Sequence, residues 1–165
     1  MSEHEPSASP NAFREILAHW ASGVCVVTTN ADTMLYGLTV SSFSALSLDP
    51  PLVLVCADKA SNTLPVIRSG GVFAINVLAR EQQALSNRFA SKKDEDKRFH
   101  GLEFDVGRTG APLLRGVAVN IDCRVVAEHE AGDHVIYIGE VQEVRSFDHD
   151  PLLYFRGTYG SFESR

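Results

Sequence analysis

The feature that most constrains this sequence is a recurrence of short runs rich in Val, Ile, Leu, Phe and Tyr, each bounded by Gly, Pro, Asn, Asp or Ser. They lie at Val24 to Thr29, Leu35 to Val40, Leu52 to Cys56, Val72 to Val77, Val117 to Val126, Val135 to Val144 and Leu152 to Phe155. β-Branched and aromatic residues in runs of this length specify strands, and Asn30-Ala31-Asp32 between the first two runs reads as a hairpin turn. Helical patterns are few. Phe13, Ile16, Leu17 and Trp20 share one helix face, with Ser9 as N-cap, Pro10 as first helical residue and Gly23 as terminator. Thr63 to Ser69, ending in Gly70-Gly71, and Arg80 to Ala90 make two further short helices. Six or seven strands with so few helices predict a mainly β fold, an antiparallel barrel or sandwich with flanking helices packed on its outside.

Size and charge narrow the function classes. At 165 residues and 44% hydrophobic residues the chain suits one domain, read here as residues 11–165 behind a polar, flexible tail over residues 1–10. That tail has no apolar core of a signal peptide and no stretch reaches the length of a spanning helix, so a cytoplasmic location without a membrane partner is expected. A net charge of −6 argues against a nucleic-acid partner. The one dense basic run, Lys92 to Arg98, is interleaved with acids and reads as a solvated or mobile loop, with a flap over a ligand as the less common alternative. Cys25, Cys56 and Cys123 stand far apart inside apolar runs, which favours reduced buried thiols over disulfides. No histidine pair among His4, His19, His129 and His149 has metal-ligand spacing, so no metal site is expected.

Two segments carry chemistry. In "GLTVSSFSALSLDPPLVLVC", from Gly37 to Cys56, a hydroxyl-rich stretch leads through Asp49-Pro50-Pro51 into an apolar strand. Backbone N–H groups and hydroxyls beside an apolar wall suit a flat, heteroatom-edged ring. An edge strand whose hydroxyls face water explains the spacing equally, and on spacing alone is the commoner case. Ser61-Asn62-Thr63-Leu64-Pro65 looks like a helix N-terminus, with Ser61 or Asn62 as cap; unpaired N–H groups and two hydroxyls there would seat a phosphate, although a plain N-cap is the usual reading. Together the two segments suggest a phosphorylated aromatic cofactor.

"GLTVSSFSALSLDPPLVLVC", "ASNTLPVIRSGGVFAINVL", "RFASKKDEDKRFHGL", "GAPLL", "AGDHVIYIGEV" and "PLLYFRGTYGSF" resemble, in order and over Phe13 to Phe162, the flavin reductase family that supplies reduced flavin to two-component monooxygenases. The resemblance implies a split β-barrel, a homodimer with FMN or FAD near the subunit interface, oxidation of NADH or NADPH, and a separate monooxygenase reached by diffusing reduced flavin. Carried over residue by residue, it implies that Thr39, Val40, Ser41 and Ser42 border the flavin ring, with Ser47, Asp49 and Pro50 shaping the turn beneath it. Cys56, Ala60, Ser61, Asn62 and Thr63 would follow the ribityl chain to the phosphate. Arg88 and Phe89 match the family's "RF", with Arg88 neutralising phosphate charge; a surface arginine paired with a local acid is the competing reading. Gly132, Asp133 and His134 form a turn on spacing alone, and the resemblance places His134 against the nicotinamide as a positioning group. Tyr159 would lie near the same site. Hydride passes directly from nicotinamide to flavin, so no dedicated catalytic residue is expected. No arginine pair stands beside Gly132 to hold a 2′-phosphate, which favours NADH. The alternatives are a split-barrel electron carrier or ferric reductase that keeps its FMN, and a non-catalytic cofactor-binding barrel.

Overall fold

The computed structural model describes residues 8–164. Its helices are α1 (Pro10–Leu17), α2 (Thr63–Gly70) and α3 (Gln83–Ala90). Its strands are β1 (Ser22–Gly23), β2 (Cys25–Ala31), β3 (Met34–Val40), β4 (Phe43–Leu48), β5 (Pro51–Asp58), β6 (Val72–Val77), β7 (Phe104–Val106), β8 (Pro112–Leu114), β9 (Val119–Ala131), β10 (His134–Ser146), β11 (Leu152–Phe155) and β12 (Thr158–Ser161). Seven of them form one antiparallel sheet in the order β3-β2-β6-β9-β10-β5-β4. The two edge strands, β3 and β4, are neighbours in sequence, joined only by Ser41 and Ser42. The sheet therefore curls until its edges meet at that corner, as a split barrel does. There the Cys56 N–H donates to the Ser42 carbonyl at 3.3 Å and the Ser42 hydroxyl donates to the Cys56 carbonyl at 2.6 Å.

Side-chain alternation fills the inside of this curl. On β5, Val53, Val55 and Ala57 point inward and are buried, while Leu52, Leu54 and Cys56 between them are half-buried. They meet Val27, Ile75, Phe73, Tyr137 and Ile67 of α2 in the main core. β2 is buried along almost its whole length because its other face is covered by a second cluster of Val24, Val26, Leu78, Phe89, Leu114 and Leu152. Its two threonines are satisfied: Thr28 Oγ1 donates to the Pro112 carbonyl at 2.5 Å and Thr29 Oγ1 to the Val72 carbonyl at 2.7 Å.

The mainly β expectation and its antiparallel pairing hold, and several boundaries shift for physical reasons. The first hairpin turns at Asp32-Thr33 rather than at Asn30 to Asp32, since Ala31 pairs with Met34 and Asp32 takes the left-handed φ of 54° that the tight turn needs. β9 and β10 run past their apolar residues to Ala131 and from His134, because backbone pairing needs no apolar side chain. The hydroxyl-rich stretch is itself strand β4. α1 has its expected cap, with Ser9 Oγ accepting from the Ala12 N–H at 3.2 Å, but ends at Leu17. Its apolar face is not packed on the barrel: Phe13, Ile16, Leu17 and Trp20 are 57%, 69%, 52% and 78% exposed. Of the expected tail, residues 1–7, with His4, lie outside the described residues, while Ser9 and Pro10 already belong to α1. The three cysteines are free thiols, and burial pushes those of Cys25 and Cys123 up to about 12. Among the described residues no helix is long and apolar enough to cross a membrane.

Packing on the inside of the curled sheet leaves no room for a side chain at Gly139. Gly139 sits at the register shift between β10 and β9, and a Cβ there would stand 2.5 Å from Phe73 Cζ and 2.8 Å from Cys123 Cβ. Gly139→Ala is expected to destabilise the fold by about 1–3 kcal/mol through overpacking, read from the midpoint of denaturant unfolding.

Candidate functional site

Two clefts open beside the barrel's closing corner, and they are contiguous through Thr39 and Ala90. The first, about 210 Å³, is lined by Thr39, Val40, Ser41, Ser86, Tyr154 and Tyr159 among others. The second, about 200 Å³, runs from Thr39 and Phe89 to Asp58, Ala60 and Ser61, with Lys92, Glu95 and Arg98 on its far wall. The first is thus walled by hydroxyls and aromatic rings, the second by charges.

Local folding explains the first cleft. β3 delivers Thr39 to the corner, and its Oγ1 donates to the Ser86 carbonyl of α3 at 2.7 Å. Tyr159 on β12 is anchored to the same helix, its hydroxyl 2.8 Å from Ser86 Oγ and donating to Asn87 Oδ1 at 2.9 Å. Its ring meets Tyr154 edge-on, with centroids 5.4 Å apart. The structure therefore brings Thr39, Val40, Ser41 and Tyr159 together, and adds Ser86 and Asn87. Sequence reading passed over those two as ordinary helix interior, because what marks them is a contact with a strand some seventy residues away.

The α2 N-terminus differs from expectation. Its early backbone donors are mostly spent: the Thr63 N–H goes to Ser61 Oγ at 3.2 Å, the Leu64 N–H to the Ser61 carbonyl at 3.3 Å, and Pro65 has none. Ser61 supplies the side-chain cap, whereas Asn62 makes no cap bond and its Nδ2 donates to Glu95 Oε2 at 3.0 Å. Side chains rather than the helix dipole thus supply the cleft's donors. Ser61 Oγ keeps its own hydrogen, and Thr63 Oγ1 is buried without a partner.

The largest revision concerns arginines. Arg88 Nη2 donates to the carbonyls of Lys97 and His100 at 2.9 and 2.6 Å, so it staples the charged segment to α3 and does not line either cleft. Arg98, read from sequence as part of a solvated run, is instead 5% exposed and lines the second cleft. Its Nη1 donates to the Gly37 carbonyl at 2.5 Å and its Nη2 to the Ser91 carbonyl, while its Nε is buried without a partner. Burial pushes this guanidinium below its ordinary pKa, opposed by the Glu95 carboxylate. One sequence signal pointed this way: the neighbour Phe99 is an anchor, packing edge-on between Phe89 and Phe104 at 5.4 and 5.7 Å.

The remaining expected residues divide. Asp133 and His134 fold onto the β5–α2 connection, with the Asp133 carbonyl accepting the Lys59 N–H at 2.9 Å and His134 paired with Asp58 across β10 and β5. His134 Nδ1 lies 2.7 Å from Asp133 Oδ1; a carboxylate only accepts, so the Nδ1–H donates and Nε2 is left to face outward contacts. The hydrogen bond from His134 holds the Asp133 carboxyl below its usual range. Gly132 serves the turn with φ of 57°. Ser47, Asp49 and Pro50 lie at the other end of the β4–β5 hairpin and line neither cleft. Cys56 is half-buried, with its backbone tied to Ser42.

Comparison with known proteins follows the same lines. The model of the flavin reductase like domain matches residues 17–163. The chain is 43% identical over 155 residues to a flavin reductase of Pseudomonas putida, covering 93% of this chain and 90% of that one. It is 40% identical over 155 residues to the flavin-dependent monooxygenase reductase subunit HsaB of Rhodococcus jostii, covering 93% and 78% of the two chains. Among solved structures, the Streptomyces globisporus NADH:FAD oxidoreductase SgcE6 in complex with NAD and FAD fragments superposes with a TM-score of 0.87 at 28% identity, covering 96% of this chain and 98% of that one.

The stapling role of Arg88 is open to test. Arg88→Ala is expected to raise the rate of limited proteolysis within residues 91–98 several-fold, since two hydrogen bonds from a charged donor are lost there. The melting temperature should fall by no more than about 3 °C, because the bonds are at the surface.

Proposed function

This chain belongs to the family of flavin reductase-like domains, and from that premise we propose that it is an NADH-dependent flavin reductase whose reduced FMN or FAD serves a separate monooxygenase component. The observation that carries the reading is the meeting of the two clefts at Thr39, a hydroxyl-and-aromatic wall running directly into a charged one. A phosphorylated flavin has the same division, a flat ring with a polar edge and a chain ending in phosphate. The residues present fit it: Arg98, which lines the charged cleft, has a buried Nε donor that no protein atom satisfies, and Thr63 Oγ1, buried next in sequence to Asn62, is likewise unpartnered although it lines neither cleft. A bound flavin would supply the redox chemistry, the capacity to take up a hydride from a nicotinamide, with Thr39, Ser41 and Ser42 at its ring edge and Ser61 and Arg98 at its phosphate.

The protein's part is placement. The hydroxyl hydrogens of Thr39 and Ser42 are committed to the carbonyls of Ser86 and Cys56, so these groups face a ligand as acceptors, which suits a ring N–H. Donors to ring carbonyl oxygen then come from Ser41 and the main-chain N–H groups of the corner. Ser61, Thr63, Lys92 and Arg98 hold the phosphate end. His134, oriented through Nδ1 by Asp133, positions the nicotinamide nucleotide with Nε2. Orientation of two rings in a water-poor cleft accounts for the rate without an acid–base set.

Purified protein with added FMN or FAD is expected to oxidise NADH and, without air, to bleach the flavin absorbance. Ser61→Ala with Thr63→Ala should raise the flavin constant about tenfold or more with little effect on the NADH constant, and His134→Ala should do the opposite. NADH left unconsumed by a folded protein with either flavin would refute the reductase reading, and equal damage to both constants would refute the two-site assignment.

Assembly belongs to the same proposal. Among the described residues nothing covers Phe13, Ile16, Leu17 and Trp20, and a cleft of about 400 Å³ beside Trp20 extends to Ser41, at the edge of the flavin site. A second copy packing on this apolar face would cover that open side, as an isologous dimer. Size-exclusion chromatography at micromolar concentration should show a dimer, and a monomer there would remove this part of the proposal.

A further inference from the structure

The charged cleft already holds an anion of its own. Glu95, 16% exposed, accepts from Asn62 Nδ2 at 3.0 Å through Oε2 and stands 3.6 Å from Arg98 Nη2 through Oε1. It lines the second cleft with Ser61, Asp58, Lys92 and Arg98, so two carboxylates and two cations face each other there, with His134 across from Asp58. The buried, unpartnered Arg98 Nε marks the same place as one where a further acceptor is missing. A phosphate entering beside Ser61 meets the donors that Glu95 already engages and the negative charge that Glu95 supplies.

Resting on the assignment of this cleft to the flavin phosphate, we infer that Glu95 is an internal competitor for that phosphate and sets how tightly phosphorylated flavin is retained. The carboxylate accepts from Asn62 and offsets part of the Arg98 charge when the cleft is empty. On binding, the phosphate displaces it or lies beside it, and either way binds less tightly than the cations alone would allow. The penalty falls only on ligands that carry a phosphate. A weakened hold suits an enzyme that must give its reduced flavin away rather than keep it.

Titration of FMN and of riboflavin, which lacks the phosphate, into the wild-type protein and Glu95→Gln tests this, with flavin fluorescence as the readout. The amide keeps the shape and one acceptor oxygen for Asn62, removes the charge, and puts an NH2 in place of the oxygen that faces Arg98. The dissociation constant for FMN is expected to fall by roughly three- to tenfold, with that for riboflavin changing by less than about twofold. Glu95→Ala, titrated in the same way, serves if the amide variant folds poorly. An unchanged FMN constant, or an equal fall for both flavins, in a protein whose wild type prefers FMN would overturn the role of Glu95. Equal wild-type affinity for FMN and riboflavin would instead overturn the phosphate assignment on which it rests.

Discussion

The site depends on the two-residue corner at Ser41 and Ser42, where the bonds between Ser42 and Cys56 extend the β4–β5 ladder up to the end of β3. Through it the seven-stranded sheet turns its last strand back toward its first, and the chain passes from β3 to β4 with only Ser41 and Ser42 between them. β3 and β4 remain the edge strands, but with only two residues between them the end of β3, carrying Thr39, is held beside the end of β5 that leads to Ser61. Closure places the β3 terminus, the β5–α2 connection and α3 around one opening. The hydroxyls of Thr39 and Ser42 are then committed to backbone carbonyls, which rigidifies the wall that a ring must meet.

A second constraint holds the outer layer in place. Asn76 on β6 donates to the Val26 carbonyl at 2.9 Å and accepts from the Leu114 N–H and from Asn120 Nδ2, both at 2.8 Å. Asn120 in turn donates to the Leu114 carbonyl at 3.1 Å. Each buried amide is matched, so the network fixes where β8 lies on the sheet instead of costing stability. Asp122, also buried, does the same for the preceding turn by accepting from the Thr109 N–H at 2.8 Å and the Thr109 hydroxyl at 2.5 Å. Phe99 and Phe104 pack into the cluster beside β8, and Phe99 in turn positions its neighbour Arg98.

Charges in the segment around Arg98 differ in consequence according to burial. The pair Lys97–Asp94 at 3.0 Å is exposed on both sides and contributes little to stability. Arg98 is withdrawn from water, donating to two carbonyls and standing 3.6 Å from the Glu95 carboxylate while its Nε has no partner, so it acts as a positive wall with a donor to spare. The same interleaving of Lys, Asp, Glu and Arg that reads as a solvated loop therefore contains one residue of the interior. Charge pattern cannot distinguish the two, because exposure is set by what the neighbouring aromatic rings pack against.

While the short or polar β1, β4, β7, β8 and β12 went unread, the sequence by itself determined the seven strands that carry the apolar runs, β2, β3, β5, β6, β9, β10 and β11, together with the three helices, the mainly β class and the family. These follow from side-chain period, caps and turn residues that act within a few positions, and from motifs kept in order. It also marked Thr39, Ser41, Ser61 and Tyr159, whose residue types suit the chemistry wherever they end up. Only the tertiary structure decided that Arg98 and not Arg88 faces the charged cleft together with Glu95, that Ser86 lines the hydroxyl-and-aromatic cleft, and that Asn87 anchors Tyr159 there. It also separated Ser47, Asp49 and Pro50 from both clefts and left the apolar face of α1 uncovered. Each of these outcomes depends on which distant backbone groups or rings a side chain meets once the sheet has curled, and such pairings have no local period to read.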